Sequence, residues 1–295
     1  MNEEILSNLR KAGSIAREAR DIGAEMIDEG VSLLEVAEEV EGHIISRGAT
    51  PAFPCNLSIN EIAAHYTPIT GDRLKFKNGD LVKIDVGAHV DGWIGDTAVT
   101  VEVGTRNWTG LIDSAARALA VAIEIVSEGT PVNMIGGTIE RVVRSNGYSP
   151  VVNLTGHGMA QHNLHAGLTV PNCDDGVTTR VEQGMILAIE PFVTDGGGEV
   201  QNSRPGNIYR VIRERKIRDK AAAEHFQLIQ ERFGGLPFCE RWCTALDSNA
   251  PAYLRTLVRH GLIYSYPMLT EVCGGMVSQK EHTVVVRDGG AEVLT

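Results

Sequence analysis

The sequence predicts an α+β fold built from two copies of a helix–helix–strand–strand unit. Amphipathic helical periodicity is followed, twice along the chain, by a pair of apolar segments typical of strands. Landmarks around the first helix pair recur 99 residues later, which is a sign of internal duplication. These landmarks are Glu29, Glu41, Gly48 and Pro51, which recur as Glu128, Glu140, Gly147 and Pro150.

The first half begins with two predicted helices. Over residues 3–28 the apolar side chains are spaced three and four apart, which is the pattern of an amphipathic helix. A second helix is expected to start near Ser32, a suitable N-cap with Glu35 three residues later, and to stop before Gly48.

A β hairpin is expected next. An apolar run from Leu81 to Val90 is joined through Asp91-Gly92 to a second run that begins at Trp93. Asp-Gly between two such runs is a strong hairpin signal. The second half repeats the first strand, because residues 79–85 and 184–190 both place an acid six residues after a glycine.

The second hairpin differs from the first by a long insertion. Asp85 and Asp96 are 11 positions apart, whereas the corresponding Glu190 and Glu281 are 91 apart, so about 80 residues are added. We therefore predict a main domain of residues 1–194 and 276–295 and an inserted helical subdomain of residues 195–275. Helical runs are expected at 213–233 and 251–260, after a glycine triplet at 196–198 that suggests a hinge.

Composition excludes several classes of function. The chain has 295 residues and a net charge of -11, which disfavours a protein whose main task is to bind nucleic acid or an anionic membrane. No signal peptide or apolar span of 18 residues is seen, and a cytoplasmic location is expected. The five cysteines are expected to be reduced packing residues. Three histidines on predicted helices are expected to be exposed, namely His43, His225 and His260.

Acids within the predicted strands suggest a metal centre. Asp85 and Asp96 should share one face of the first hairpin, and by the repeat Glu190 and Glu281 should share a face of the second. Four convergent carboxylates carry a charge of about -4, which two divalent cations would neutralise. His157 is the best candidate for an added imidazole ligand. This ligand set favours manganese, iron(II) or cobalt, with zinc also compatible.

With these residues identified, the sequence resembles the methionine aminopeptidases, and among them the archaeal type II form of the M24 metallopeptidases. The resemblance covers essentially the whole chain and is carried by six motifs. These are Pro51 to Pro68, Lys83-Ile-Asp-Val-Gly, Asp91-Gly-Trp-Ile-Gly-Asp-Thr-Ala, Leu164-His-Ala-Gly with Ala188-Ile-Glu-Pro-Phe, and Glu281-His-Thr. It implies the pita-bread fold, a curved antiparallel sheet flanked by helices with pseudo-twofold symmetry.

The resemblance also implies a site and an activity. The ligands of a dinuclear centre would be Asp85, Asp96, His157, Glu190 and Glu281. A hydroxide activated by the two metals would remove the initiator methionine from nascent proteins, and Glu190 would also shuttle a proton. His165 would stabilise the oxyanion, and His65 would bind the peptide beyond its first residue. Two aromatic residues would lie near the methionine pocket, Phe53 and Tyr266.

Two alternative functions stay open at this stage. Aminopeptidase P and prolidase share the same fold and ligands, but they generally carry a further N-terminal domain, and Met1 here opens directly into the first helix pair. Non-catalytic relatives bind RNA or ribosomes, but they lose ligands that this sequence retains. The expected partners are Met-initiated nascent chains. The basic stretch 210–220 is interpreted first as a solvated helix face, and a ribosome contact through it stays open as an addition. No membrane or specific nucleic-acid partner is expected, and the protein is expected to be a monomer.

Overall fold

The structure, a computed structural model, describes residues 1–295 and contains seven helices and sixteen strands. The helices are α1 (Glu3–Met26), α2 (Leu33–Ser46), α3 (Thr109–Glu124), α4 (Val132–Ser145), α5 (Lys220–Phe233), α6 (Glu240–Leu246) and α7 (Ala250–Arg259). The strands are β1 (Thr50–Pro51), β2 (Asn56–Ile59), β3 (Ile62–Ala64), β4 (Leu81–Val90), β5 (Trp93–Glu102), β6 (Ser149–Pro150), β7 (Thr155–Met159), β8 (Thr169–Pro171), β9 (Ile186–Ile189), β10 (Phe192–Thr194), β11 (Val200–Val211), β12 (Phe238–Cys239), β13 (Ile263–Glu271), β14 (Val277–Gln279), β15 (Glu281–Arg287) and β16 (Gly290–Val293). None of the helices combines the length and the apolar character needed to cross a membrane.

The first helix pair packs on the first hairpin, as the sequence predicts. Asn2 caps α1, because its side-chain oxygen accepts a hydrogen bond of 2.9 Å from the Ile5 amide. Ser32 occupies the N-cap position of α2 but makes no side-chain capping bond. Helix α1 lies very close to β5, where a side chain at Gly95 would meet the backbone of Gly13 at 2.6 Å. This close approach requires glycine at that point of the sheet.

The hairpin β4–β5 turns at Asp91 and Gly92, as predicted. Both residues have positive φ angles, 51° and 79°, which is the conformation of a tight two-residue turn. The register runs without a bulge from Val90 opposite Trp93 to Leu81 opposite Glu102. The absence of a bulge keeps alternate residues of each strand on one face along the whole hairpin.

The second half repeats this arrangement and shares a sheet with the first. A nine-stranded sheet has the central order β1-β4-β5-β15-β9-β7-β8, and β5 and β15 join the two halves by antiparallel pairing. Helices α1 and α2 cover one half through a core cluster that includes Leu33 and Ile84. Helices α3 and α4 cover the other half through a cluster that includes Leu119 and Leu187. The duplicated unit therefore gives an approximately twofold molecule.

The segment between β10 and β14 contains strands as well as helices. Strands β11, β12 and β13 join β3 of the first half in a four-stranded sheet of order β12-β11-β13-β3. The description of residues 195–275 as helical was thus incomplete. The run expected to be helical from Arg213 begins as a helix only at Lys220, where the Asp219 side chain caps it by accepting from the Ala222 amide. The run expected from Pro251 is α7.

Candidate metal centre

The register of the first half places two acids on one face of the large sheet. Asp85 on β4 lies opposite Ala98 on β5, and Asp96 is two residues before Ala98 on the same strand. Residues two apart on a strand point to the same side, so both carboxylates face the same way. Glu281 on β15 also lies opposite Ala98 and joins them from the other half.

The second half contributes two further groups to this face. His157 on β7 lies opposite Ala188 on β9, and Ala188 lies opposite Thr283 on β15. Glu190 follows Ala188 by two residues, and Thr283 follows Glu281 by two. All five predicted ligands therefore lie on one face of the sheet. Four of them are within strands β4, β5, β7 and β15, and the fifth, Glu190, directly follows the end of β9.

Distances show that the predicted ligands converge. Ligand atoms of Asp96, His157 and Glu281 all lie within 4.8 Å of one another. His157 Nε2 is 3.7 Å from Asp96 Oδ2 and 3.7 Å from Glu190 Oε1. Together with Asp85, these residues line one cavity of about 270 Å³.

Burial makes the uncompensated carboxylates unfavourable. It raises the pKa of Asp85 to about 7, a shift that the nearby Gln279 amide partly opposes. The pKa values of Asp96, Glu190 and Glu281 are raised well above their usual range, first by burial and then by the neighbouring carboxylates. Four acids that repel one another away from water require a positive partner if they are to be ionised together at neutral pH.

The residues present fit divalent cations. Asp85 Oδ1 and Asp96 Oδ1 are buried without a hydrogen-bond partner in the protein, and His157 presents Nε2 to the carboxylates. Burial lowers the pKa of His157 to about 3, so its imidazole is neutral, as a metal ligand must be. Carboxylate oxygens with one neutral imidazole form a donor set suited to hard or borderline divalent metals.

The four residues predicted to contact substrate line the same cavity. His165 is next to His157, with ring centroids 4.4 Å apart. His65 has a φ of 71°, and its Nδ1 lies 3.1 Å from the Pro267 carbonyl oxygen. Its ring meets that of Tyr266 edge to face at 5.3 Å, and Phe53 forms another part of the wall.

Sequence reasoning missed Gln279, which holds two of the acids. Its Nε2 donates to Glu190 Oε2 at 3.2 Å and to Glu281 Oε2 at 3.4 Å, and its side chain is almost fully buried. The available signal was its position two residues before Glu281, which places both side chains on one face although they lie on consecutive strands. A polar residue there needs a polar neighbour.

Comparisons with known proteins agree with this geometry. The model of a family described as Metallopeptidase family M24 matches residues 7–288. This chain belongs to metallopeptidase family M24. A methionine aminopeptidase from Archaeoglobus fulgidus is 46% identical to it over 297 residues, with 100% of both chains covered. The family membership and the cluster of ligand groups indicate a metal-dependent hydrolase that uses divalent cations.

Solved structures show that the M24 chain has the pita-bread fold. A methionine aminopeptidase from Rickettsia prowazekii is similar with a TM-score of 0.73 and 24% identity, covering 100% of this chain and 98% of the other. A thermophilic Arx1 is similar with a TM-score of 0.87 and 15% identity, covering 100% and 91%. At these identities the likeness concerns the fold alone. The predicted fold class is confirmed.

Proposed function

We propose that this M24 metallopeptidase is a methionyl aminopeptidase that removes the initiator methionine from nascent proteins. The observation that carries the proposal is the convergence of four carboxylates, two buried and two half-buried, with His157 in a cavity that two further histidines also line. The named activity of a relative 46% identical over the full chain supports methionine as the residue released.

The residues proposed to hold two divalent cations are those that converge on the sheet face. They are Asp85, Asp96, His157, Glu190 and Glu281. When bound, such cations lower the pKa of a coordinated water and polarise the scissile carbonyl. Manganese, iron(II), cobalt and zinc are all compatible with these donors.

Within this site, Glu190 is the residue proposed to carry the proton to the leaving amine. It faces the cavity, and the Gln279 amide holds its Oε2. The other oxygen of a carboxylate fixed in this way can accept a proton and then release it to the leaving amine as the peptide bond breaks.

His165 and His65 are proposed to bind the reacting peptide. Burial, together with the nearby positive charge of Arg210, lowers the pKa of His165 to about 4, so its ring is neutral and can donate one hydrogen bond to the developing oxyanion. Burial also lowers the pKa of His65. Its ring, held at the Pro267 carbonyl, would bond to the peptide beyond the first residue. Phe53 and Tyr266 would pack against the methionine side chain.

The insert is proposed to be a subdomain that spans residues 195–275. Its helices pack around a core cluster whose members all lie between Tyr209 and Ile263. The basic stretch 210–220 is proposed as a contact with the ribosome, where nascent chains emerge. We further propose that the protein acts as a monomer in the cytoplasm.

Peptide cleavage with and without metal tests the proposed function. Purified protein supplied with Mn²⁺ is expected to release methionine from Met-Ala-Ser peptides, because small second residues fit a crowded site. EDTA should abolish release. Glu281→Gln should lower kcat by about 100-fold or more while the protein stays folded, because it removes one anionic ligand. Release would be measured by chromatography of free methionine, and folding by circular dichroism.

A matched control and a competing substrate complete this experiment. Glu38→Gln, on the exposed face of α2, should leave the rate unchanged. Methionine release that persists in EDTA would contradict a metal-dependent enzyme. Cleavage of Xaa-Pro peptides alone would instead assign the site to an X-Pro peptidase.

A further inference from the structure

The four-stranded sheet of the insert has two different faces. Tyr209, Val211 and Ile263 pack into the core beneath the helices of the insert. Ile208 and Tyr266, which pair across β11 and β13, line the metal-centre cavity on the opposite face. Even-numbered residues in this part of both strands therefore point toward the cavity side, because side chains alternate along a strand.

The next pair on the cavity face is Arg210 and Tyr264. These residues lie opposite each other in the same unbroken register as Ile208 and Tyr266. Two residues along a strand span about 7 Å, which is also the length of two residues of an extended peptide. The rings of Tyr264 and Tyr266 meet edge to face at 5.3 Å, so the aromatic surface continues from the cavity to this second pair. Tyr264 is exposed and accessible to a ligand.

Arg210 has no partner within the protein. It is half-buried, its Nε is buried without a hydrogen-bond acceptor, and no carboxylate lies within ion-pair distance. The two well-buried arginines differ in this respect, since Arg20 binds Asp21 and Arg241 binds Glu41. A guanidinium carries five donors, and a donor such as Nε that is buried without an acceptor is unfavourable.

The positive charge of Arg210 affects the pKa of Tyr266, a residue of the cavity wall. Burial raises the pKa of the Tyr266 hydroxyl, and the positive charge of Arg210 opposes that shift. The guanidinium is therefore near the part of the cavity where the peptide is proposed to lie, and its donors are free to bind an acceptor that the peptide brings.

We propose that Arg210 and Tyr264 form a subsite for the downstream part of the peptide, which binds a carboxylate at the third or fourth residue. The proposal rests on the proposed aminopeptidase function. The carboxylate can belong to an acidic side chain or to the C-terminus of a short peptide. The protein has a net charge of -11, but ions in solution screen its distant charges. A direct contact with Arg210 therefore determines whether an acidic peptide is preferred over a neutral one.

Kinetics on matched peptides test this subsite. Peptides Met-Ala-Xaa-Ala and Met-Ala-Ala-Xaa, both with amidated C-termini, carry Glu, Gln or Lys at Xaa. The wild-type protein loaded with Mn²⁺ is expected to show kcat/KM roughly three- to tenfold higher for Glu than for Gln at one of these positions, mainly through KM. The tripeptide Met-Ala-Ala as free acid and as amide shows whether a C-terminal carboxylate is also bound.

Variants assign the preference to Arg210. Arg210→Gln is expected to reduce the Glu-to-Gln ratio to about one, and Arg210→Lys to keep part of it, because a lysine retains the charge but not the planar donors. Arg213→Gln removes an exposed positive charge just beyond β11 and should keep the full ratio. Circular dichroism and Mn²⁺ content would show that each variant is folded and loaded.

The outcomes separate this inference from the proposed function. If the wild type cleaves the neutral peptides but does not prefer Glu, or if Arg210→Gln keeps the preference, the subsite is wrong and the aminopeptidase function stands. If the wild type releases no methionine from any of the peptides, the function itself is wrong, and the subsite falls with it.

Discussion

At the scale of single residues, the neutral side chain of Gln279 orients two of the clustered carboxylates. Its amide donates to Glu190 and Glu281, two carboxylates that burial and mutual repulsion disfavour in the charged form. A carboxylate at this position would add to the repulsion, whereas an amide supplies donors without charge. Side chains that orient ligands in this way commonly control metal affinity as much as some ligands do.

Replacement of Gln279 tests this orienting role. Gln279→Ala is expected to weaken Mn²⁺ binding by about 10- to 100-fold, because Glu190 and Glu281 lose the donor that holds them in place. Calorimetric titration of metal into the metal-free protein would measure the change. Gln227→Ala, on the exposed surface of α5, is the control and should not alter affinity. Unchanged affinity in Gln279→Ala would show that the carboxylates are held by other contacts.

At the scale of elements, the packing of α5 on α7 corrects an expectation from the sequence. Among the histidines expected to be exposed, His260 is exposed and His43 is partly so. His225 on α5 is only 2% exposed, and neither ring nitrogen has a partner. It lies against Tyr253 on α7, with ring centroids 5.3 Å apart. Its position on a helix was predicted, but the partner helix that covers it was not.

This buried imidazole should make stability depend on pH. Burial lowers the pKa of His225, an effect that the charge of Asp247 partly opposes. The unfolded chain therefore binds a proton more readily than the folded one, and His225 costs stability as the pH falls below about 6.5. In His225→Phe, the free energy of unfolding should fall less between pH 7 and pH 5 than in the wild type.

Urea unfolding at both pH values would measure the difference. His260→Phe, which changes an exposed imidazole at the end of α7, should retain the pH dependence of the wild type. If His225→Phe loses as much stability on acidification as the wild type, the folded protein accommodates the charged imidazole without cost.

At the scale of the whole molecule, one buried carboxylate connects the insert to the main domain, and a second joins the two ends of the insert. Glu41 on α2 accepts from both terminal nitrogens of Arg241, from the Trp242 indole at 2.7 Å and from the Cys55 amide at 3.1 Å. Glu271, at the far end of the insert, accepts from backbone amides of residues 197, 198, 273 and 275. The glycine triplet interpreted as a hinge is thus tied to the returning chain.

The ion pair between Glu41 and Arg241 gives a prediction about stability. Arg241→Met leaves a buried carboxylate without its cation and should cost about 3–5 kcal/mol of unfolding free energy. Adding Glu41→Gln should recover part of this loss, because the buried charge disappears while the single amide oxygen can still accept from either the Cys55 amide or the Trp242 indole. Urea unfolding of the single and double variants would measure the coupling.

An exposed ion pair on α4 shows how small the change in unfolding free energy is when the charges are not buried. Arg144→Met removes the helical pair with Glu140, and it should change the unfolding free energy by no more than about 0.5 kcal/mol. If the losses from Arg241→Met and Glu41→Gln simply add, the two residues contribute separately, and the pair does not act as a unit.

Much of the fold and of the candidate site could be predicted because both depend on local periodicity. The spacing of apolar residues placed α1 and α2 to within a few residues, and Asp91-Gly92 fixed the hairpin turn. Alternation along that hairpin then put Asp85 and Asp96 on one face. Any two-residue turn at this point pairs odd-numbered residues of β4 with even-numbered residues of β5, so Asp85 lies opposite an even-numbered residue.

The sequence by itself determined the duplicated unit, the acids on its strands and the family to which the chain belongs. Only the tertiary structure decided which distant side chains meet and which do not: Gln279 lies between two carboxylates, Arg241 pairs with Glu41, and Arg210 has no partner beside the cavity. The physical reason is that periodicity assigns a side chain to a face, whereas its neighbours across strands and helices come from distant parts of the chain. Contacts between residues 41 and 241 leave no local pattern to find.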